Sequence, residues 1–558
     1  MQAMTLSIGQ AGIDFFARTL VANELLQALQ GLKPANSSLS VPNFETWGAG
    51  YNCSYSNIKI DLTDGSLSGF SPLYRGVQQL NTGNPPGSQF SLDIAAGNFT
   101  ANYVWAESYH ENCSYPQQGG RPIRKNEDES GKYNYKPGIG NLAVTVLTAF
   151  QYQPSDNTWT ITTVRTSAVA SNVSANIPAQ SIVQKEDASC FSSHVSDATA
   201  QSISSIDFAT PINAIIPPLL GSIPASGDLG NGIVFEWELG DAGLTFPNAN
   251  GISVGITGRV SYRGTYHQGT PPTSLPVPPV PASGETHYLQ TYVSDYEVNA
   301  LQWAYYQAGL LDTTATPDTI PDPNALKVKT YVAFIKQLEP YKAYSMRADI
   351  KPQAAPVSAF QAVWQFTRGN VDNLKSQLPI DVWNIINNYM ISNAYITKQA
   401  LEADLQAYHI GQAYYATIEK GTSTMGMVDT QNIQMLLTVL TGYDPQPTIT
   451  FNVARTDILT NLRLGVAGDA QTLQFAFLEV ESAAKFVSST IPNFPGDQMA
   501  VIWSTVGEFN YSAVVADMGK TGVPLPIMRG FQFLFNQADL SIQSGFVSIK
   551  SQVQYKSG

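Results

Sequence analysis

The sequence predicts an α+β protein of two similar halves, each with long apolar helices laid on strongly curved antiparallel sheet. Three observations carry this expectation. Apolar helical stretches stand near the head of each half, at Leu6–Gln30 and Val293–Leu311. Runs that alternate apolar and polar residues follow, such as Ile58–Leu62 and Phe90–Ile94, the pattern of a strand with one buried and one wetted face. A proline-rich run, HQGTPPTSLPVPPVPA from His267 to Ala282, lies between the halves. The expected division is residues 1–265, a linker at 266–286, and residues 287–558.

In order, the first helix sets Ile8, Ala11, Phe15, Ala22, Leu25, Leu26 and Leu29 near one face, widened by Ile13, Phe16 and Leu20. A face this broad must be buried against protein or ligand. Strands follow at Ile58–Leu62, Phe90–Ile94 and Trp159–Ile161, with a Gly/Pro-rich polar loop expected over Pro116–Gly138. A helix over Ser192–Leu220 is bent or ended by Pro211, Pro217 and Pro218. Phe235–Leu239 and Ile252–Val260 alternate as strands, and the proline run then reads as a semi-rigid spacer. In Val293–Leu311, Ser294 is placed to cap the helix, Glu297 to complete a capping box, and Gly309 to end it. Strands are expected at Leu326–Phe334 and Tyr344–Ile350, then a block of helices over Val357–Tyr443. Strands return around Ile449–Val453 and Leu473–Phe477, a helix at Gln498–Met518, and strands from Gly530 to Tyr555.

A chain of 558 residues exceeds the size at which single cores stop growing. Charged residues are only 13%, against about 25% in an average chain, and the net charge is −13. With no basic face to displace counterions, nucleic acid is excluded as a partner, and attraction to anionic membranes is disfavoured. No apolar run reaches the roughly 18 residues needed to span a bilayer. Asn52-Cys53-Ser54-Tyr55 and Asn112-Cys113-Ser114-Tyr115 are near copies. Both contain N-glycosylation sequons, as do the stretches beginning at Asn36, Asn98, Asn172 and Asn510. Sequons, low charge and cysteine placement point to a secreted glycoprotein. No leader is visible at Met1, so the chain is read as mature or trimmed. Cys53 opens one strand and Cys113 follows the strand after it, so an antiparallel pair would bridge them. Cys113–Cys190 and three free thiols are the alternatives.

Three places resemble a known family. Ile8-x-Gln10-x-Gly12-Ile13-Asp14-Phe15 is similar to the opening helix of the bactericidal/permeability-increasing protein, lipopolysaccharide-binding protein and plasma lipid-transfer protein family. Ser294-Asp295-Tyr296, Asn299 and Gln307-Ala308-Gly309-Leu310-Leu311 resemble its second-domain helix, and Gly522-Val523-Pro524-Leu525-Pro526 its C-terminal signature. The resemblance implies a boomerang of two barrels sharing a central sheet, each barrel holding a phospholipid or similar lipid in an apolar pocket. It implies no catalytic residue, no metal and no cofactor beyond the bound lipid. Three features depart from the family pattern, one being that Cys190 fits one end of the family's disulfide while Thr158–Ala170, where the other end is expected, contains no cysteine. Arg121, Arg124, Lys125 and Lys132 at the expected tip are mixed with Glu127, Asp128 and Glu129, and the helical block at about 357–443 reads as an insertion in the second domain.

Other motifs lack their context. Gly251-Ile252-Ser253-Val254-Gly255 matches a nucleophile elbow, but lies in one alternating strand, with Ser253 expected on its polar surface. Gly138-Ile139-Gly140 leads into a strand rather than a helix, and Gly519-Lys520-Thr521 lacks the first glycine of a phosphate loop. His110, His194, His267, His287 and His409 show no metal-ligand spacing. The expected lipid walls are Ile13, Phe16, Leu20, Phe208, Ile212 and Ile216 in the first half. In the second they are Val298, Leu301, Tyr305, Ile502, Val506 and Val514. The expected function is lipid binding or transfer, with lipids and lipid surfaces as partners. A self-associating structural or storage glycoprotein, joined through 357–443, is the alternative. Innate-immune binding of microbial lipid is the third reading.

Overall fold

The structure is a computed structural model. It describes residues 2–20, 32–48, 50–68, 71–80, 89–97, 99–115, 121–153, 158–185, 188–220, 226–248, 251–269, 275–281, 286–366, 372–392, 395–407, 414, 416–418, 423–467, 470–526 and 531–555.

A central sheet joins the halves. Its strands run in the order Ser226–Gly230, Ile233–Asn248, Gly251–Tyr262, Met4–Gly9, Leu289–Ser294, Phe546–Ser551 and Asp539–Gln543. The joint is the ladder between Met4–Gly9 and Leu289–Ser294, with Leu6 opposite Thr291. Both opening "helices" therefore begin as strands. The first helix is Gln10–Leu20, and the second Asp295–Gln307. TLSIG and LQTYVS alternate, and pairing with each other outweighs helix propensity, which is a weak prior. The same ladder removes the expected capping box. The Ser294 N–H donates to Ala3 O at 3.0 Å, the Ser294 hydroxyl makes no hydrogen bond, and Glu297 is buried instead of reaching back. Gly309 does end the helix, at φ +69°, with the Leu310 N–H reaching back to Tyr305 O at 3.0 Å.

The first half has two further sheets. Tyr51–Ser68 and Thr100–Tyr115 form the centre of one, and Gln89–Gly97 and Gly138–Gln153 the centre of the other. The stretch expected as a loop over 116–138 is largely the strand Ile123–Tyr135, paired along Thr100–Tyr115. Its polar residues face water on a sheet edge, so composition alone misread it. The long helix expected at 192–220 is two, Ala188–Ser204 and Ala209–Leu220. Asp207 starts the second: its carboxylate accepts from the N–H groups of Ala209 and Thr210 at 2.9 and 3.2 Å. Pro211 then falls in the first turn, where a missing N–H costs little. Cys53 and Cys113 face each other across the ladder and are bridged. They stand 60 positions apart in the chain, and replacing both by serine is expected to cost about 2–4 kcal/mol, read as a lower urea midpoint.

The proline linker is not a free spacer. The carbonyls of Pro276 and Pro278 accept from the Thr5 and Ser7 hydroxyls at 2.9 and 2.8 Å. That segment covers the central sheet, so Ser253 is buried against Ser7 rather than lying on a polar surface.

The second half is built on a sheet ordered Thr313–Ala315, Met346–Pro352, Ser423–Val439, Thr448–Ala467, Ala470–Ser489 and Val523–Pro524. The helical block expected over 357–443 is smaller. Its ends, Val357–Gln365 and Ser423–Val439, are strands of this sheet, and its main helices are Ile380–Ser392 and Lys398–Ala407. In Ser423–Val439 the inward residues Met427, Ile433, Met435 and Leu437 alternate, a period that its many long side chains disguised. The strand expected at Leu326–Phe334 is replaced by tight turns, Pro323–Leu326 and Val328–Thr330, the first capped by Asp322. The expected helix at 498–518 is Glu508–Thr521, preceded by a wider turn at Trp503–Gly507.

Candidate functional site

The second-half wall residues come together. Val298, Leu301 and Tyr305 on Asp295–Gln307, with Ile502 and Val506, lie in one closed cluster, and Val514 packs at its edge. In the first half only Phe208 and Ile212 share a cluster. Phe16 packs against the other core, and Ile13 is half-buried. The side chains of Leu20 and Ile216 lie outside the described residues, as does that of Cys190.

Polar side chains cross the second-half core between its two helices. Asn299 staples Asp295–Gln307 to Val357–Gln365, donating to Ser358 O at 2.9 Å and accepting from its N–H at 2.7 Å. Gln302 and Ser358 both donate to Asp429 at 2.8 Å. Gln431 links Asp429 to Asp457, and Arg455 donates to both carboxylate oxygens of Asp457 at 2.9 and 3.1 Å. Arg455 continues to Ser512 on Glu508–Thr521 at 3.0 Å and pairs with Glu479 at 3.2 Å. Its guanidinium lies 5.4 Å from the Tyr511 ring centre. Burial raises the Asp429 carboxyl to about 7, with Asp457 adding to the rise. Burial also raises Asp457 and Glu508, and Glu508 shares a hydrogen bond with Glu479. One buried guanidinium thus holds two carboxylates, those of Asp457 and Glu479. The sequence carries a signal for this that its reading missed. Asp429, Gln431, Arg455 and Asp457 stand on the inward parity of otherwise apolar strands.

Beside this network a groove of about 460 Å³ runs between Glu508–Thr521 and Ala470–Ser489. Its ends differ in charge. Glu508 meets Glu479 at one end. At the other, Arg463 and Lys520 line it with Gln474, and Arg463 donates to Gln474 at 3.1 Å. Between them Phe475, Phe477, Val515 and Ala516 supply apolar wall. Gly519 lets helix and strand meet, because a Cβ there would collide with the Phe475 carbonyl. The sequence reading therefore found the helix, while the groove opens on a neighbouring face. A second cavity, about 430 Å³, lies by Tyr331, Phe334, Val501 and Thr505.

On the strand Ile123–Tyr135, Lys125 is committed to Glu111, Glu127 and Glu129. His110 is held by Asp128 and Asn126, and the Asp128 hydrogen bond raises its pKa. Arg121 and Arg124 are exposed. Of the sequon asparagines, Asn36, Asn112 and Asn172 are exposed, and Asn52 and Asn510 are half-buried. Asn510 donates to Val506 O at 2.8 Å. Asn98 lies outside the described residues.

The C-terminal domain model of the LBP / BPI / CETP family matches residues 246–345. That span contains the Asp295–Gln307 helix on which the family resemblance partly rested, and the resemblance stands there. A crystal structure of lipopolysaccharide binding protein is 13% identical over 100% of this chain and 100% of its own, with a TM-score of 0.48. The structure of P47 from Clostridium botulinum A2 is 8% identical over 99% and 97%, with a TM-score of 0.24. Epiphyas postvittana Takeout 1 is 10% identical over 38% of this chain and 91% of its own, with a TM-score of 0.18. No curated protein sequence matches the chain.

Proposed function

We propose, for a chain that carries the C-terminal domain of the LBP/BPI/CETP family over residues 246–345, that this protein binds lipid and acts as a secreted carrier rather than an enzyme. Acyl chains lie along the seams between helix and sheet: beside Phe208 and Ile212 in the first half, and in the groove beside Val515 and Phe477 in the second. The observation that carries this reading is the groove itself. Its volume of about 460 Å³ falls within the range of small-molecule pockets, and its apolar walls end in a few polar groups. Glycans on exposed sequons and the Cys53–Cys113 bridge suit an extracellular carrier.

Native mass spectrometry, with lipid extraction of the purified protein, tests the reading. Lipid co-purifying with the protein, or fluorescent phosphatidylcholine taken up from vesicles, is the expected result. Neither bound lipid nor uptake would end the proposal. The microbial-lipid reading is served less well, since Lys125 is already paired with three acids. Self-association through 357–443 is also served less well. The strands of that span are paired within the sheet, and its helices bury Val382, Ile386, Leu401 and Leu405 against Trp364 and Phe366.

A further inference from the structure

Among the described residues, Arg463 and Lys520 have no acidic partner, in a chain whose net charge is −13. Both line the same end of the groove. The opposite end is acidic and already holds a cation: Glu479 pairs with Arg455, and Glu508 shares a hydrogen bond with Glu479. From Glu508 to Lys520 the helix rises about 18 Å at 1.5 Å per residue. Over that length the lining changes from closed carboxyls, through apolar wall, to unpaired cations. We propose that the groove binds a single-chain amphiphile with an anionic head, the head between Arg463 and Lys520 and the chain along Val515, Ala516 and Phe477.

Each part of the chemistry selects this class. An anion at the cationic end gains charge-assisted hydrogen bonds from a guanidinium and an ammonium. A cationic head placed there is repelled, and at the other end it must compete with Arg455 for Glu479. A neutral head leaves both cations without a countercharge. The groove volume of about 460 Å³ is at the small end of the ligand-pocket range, which favours one chain over two. A carboxylate and a phosphate ester would both serve as the head. The proposal rests on the lipid-binding reading and names the ligand class of the second-half site.

The test is displacement of cis-parinarate fluorescence from the full-length protein by dodecanoate, dodecyl phosphate, dodecanol and dodecylammonium. Dodecanoate or dodecyl phosphate should displace it saturably and at least tenfold more tightly than dodecanol, and the tighter of the two identifies the head. The double variant Arg463→Gln, Lys520→Gln should erase that preference, since both side chains are exposed and away from the core. Ala516→Trp, also at an exposed position, should block the probe. Equal displacement by dodecanol, tighter displacement by dodecylammonium, or parinarate binding unchanged by Ala516→Trp would each overturn the proposal. Uptake of fluorescent phosphatidylcholine, measured on the unsubstituted protein alongside parinarate binding, separates the two claims. Uptake without parinarate binding sinks only this inference, and absence of both sinks the lipid-binding reading as well.

Discussion

Replacing Arg455 by glutamine is expected to cost about 3–5 kcal/mol of folding stability at pH 7. The guanidinium is buried with its hydrogen bonds spent on Asp457 and Ser512, and it pairs with Glu479. Removing it leaves Asp457 with Gln431 as its hydrogen-bond donor, close to Asp429, Glu479 and Glu508, with no cation inside the network. Uncompensated buried carboxylates are far costlier than the pair they came from. The deficit should shrink as pH falls towards 5, because protonation removes the charges that Arg455 had balanced. Urea unfolding at pH 7 and at pH 5 measures both parts. A deficit of the same size at the two pH values would show that Arg455 acts by packing and not by charge.

Glu297 makes the opposite prediction. It is fully buried against Gly258, its Oε1 has no hydrogen-bond partner, and burial alone raises its pKa to about 8. The folded state therefore holds this proton more tightly than the unfolded chain does. Its contribution to stability is complete below the ordinary carboxylate range and is lost as pH rises through about 8. Glutamine has nearly the same shape and no charge to bury. Glu297→Gln should be more stable than the parent at pH 9, by on the order of 3–5 kcal/mol, with a gap that closes towards pH 4. Asp429 and Glu508 are raised by burial too and stay in both proteins, so the difference between variant and parent is the quantity to follow. If both proteins lose stability equally between pH 5 and pH 9, Glu297 is not the source.

Much of the fold was legible because period and punctuation are local. Alternation in Ile58–Leu62, Phe90–Ile94 and Leu473–Phe477 reports a strand whatever it pairs with, and these segments are strands. Gly309 could be placed as a stop because only a positive φ suits the chain there, and it takes φ +69°. The errors fall where a local pattern meets a distant partner. LSIG reads as helix until Leu289–Ser294 supplies a ladder for it. Ser294 reads as a cap until Ala3 takes its N–H. Arg-Lys-Asn-Glu-Asp-Glu reads as loop until Thr100–Tyr115 lies alongside.

The candidate site divides the same way. The helix pair was found from its apolar faces, which periodicity reports without any knowledge of the partner. The groove was not, because it depends on which face of Glu508–Thr521 meets Ala470–Ser489, and Gly519 and Gly522 set that approach. Sequence alone determined the family resemblance, the apolar helices and the acidic balance. These are properties of composition and near neighbours. Only the tertiary structure decided that the proline segment covers Ser253, that Arg455 serves acids from other segments, and that Arg463 and Lys520 share one end of a groove. These facts join residues far apart in the chain, and their energies depend on burial, which exists only once the sheets and helices have packed.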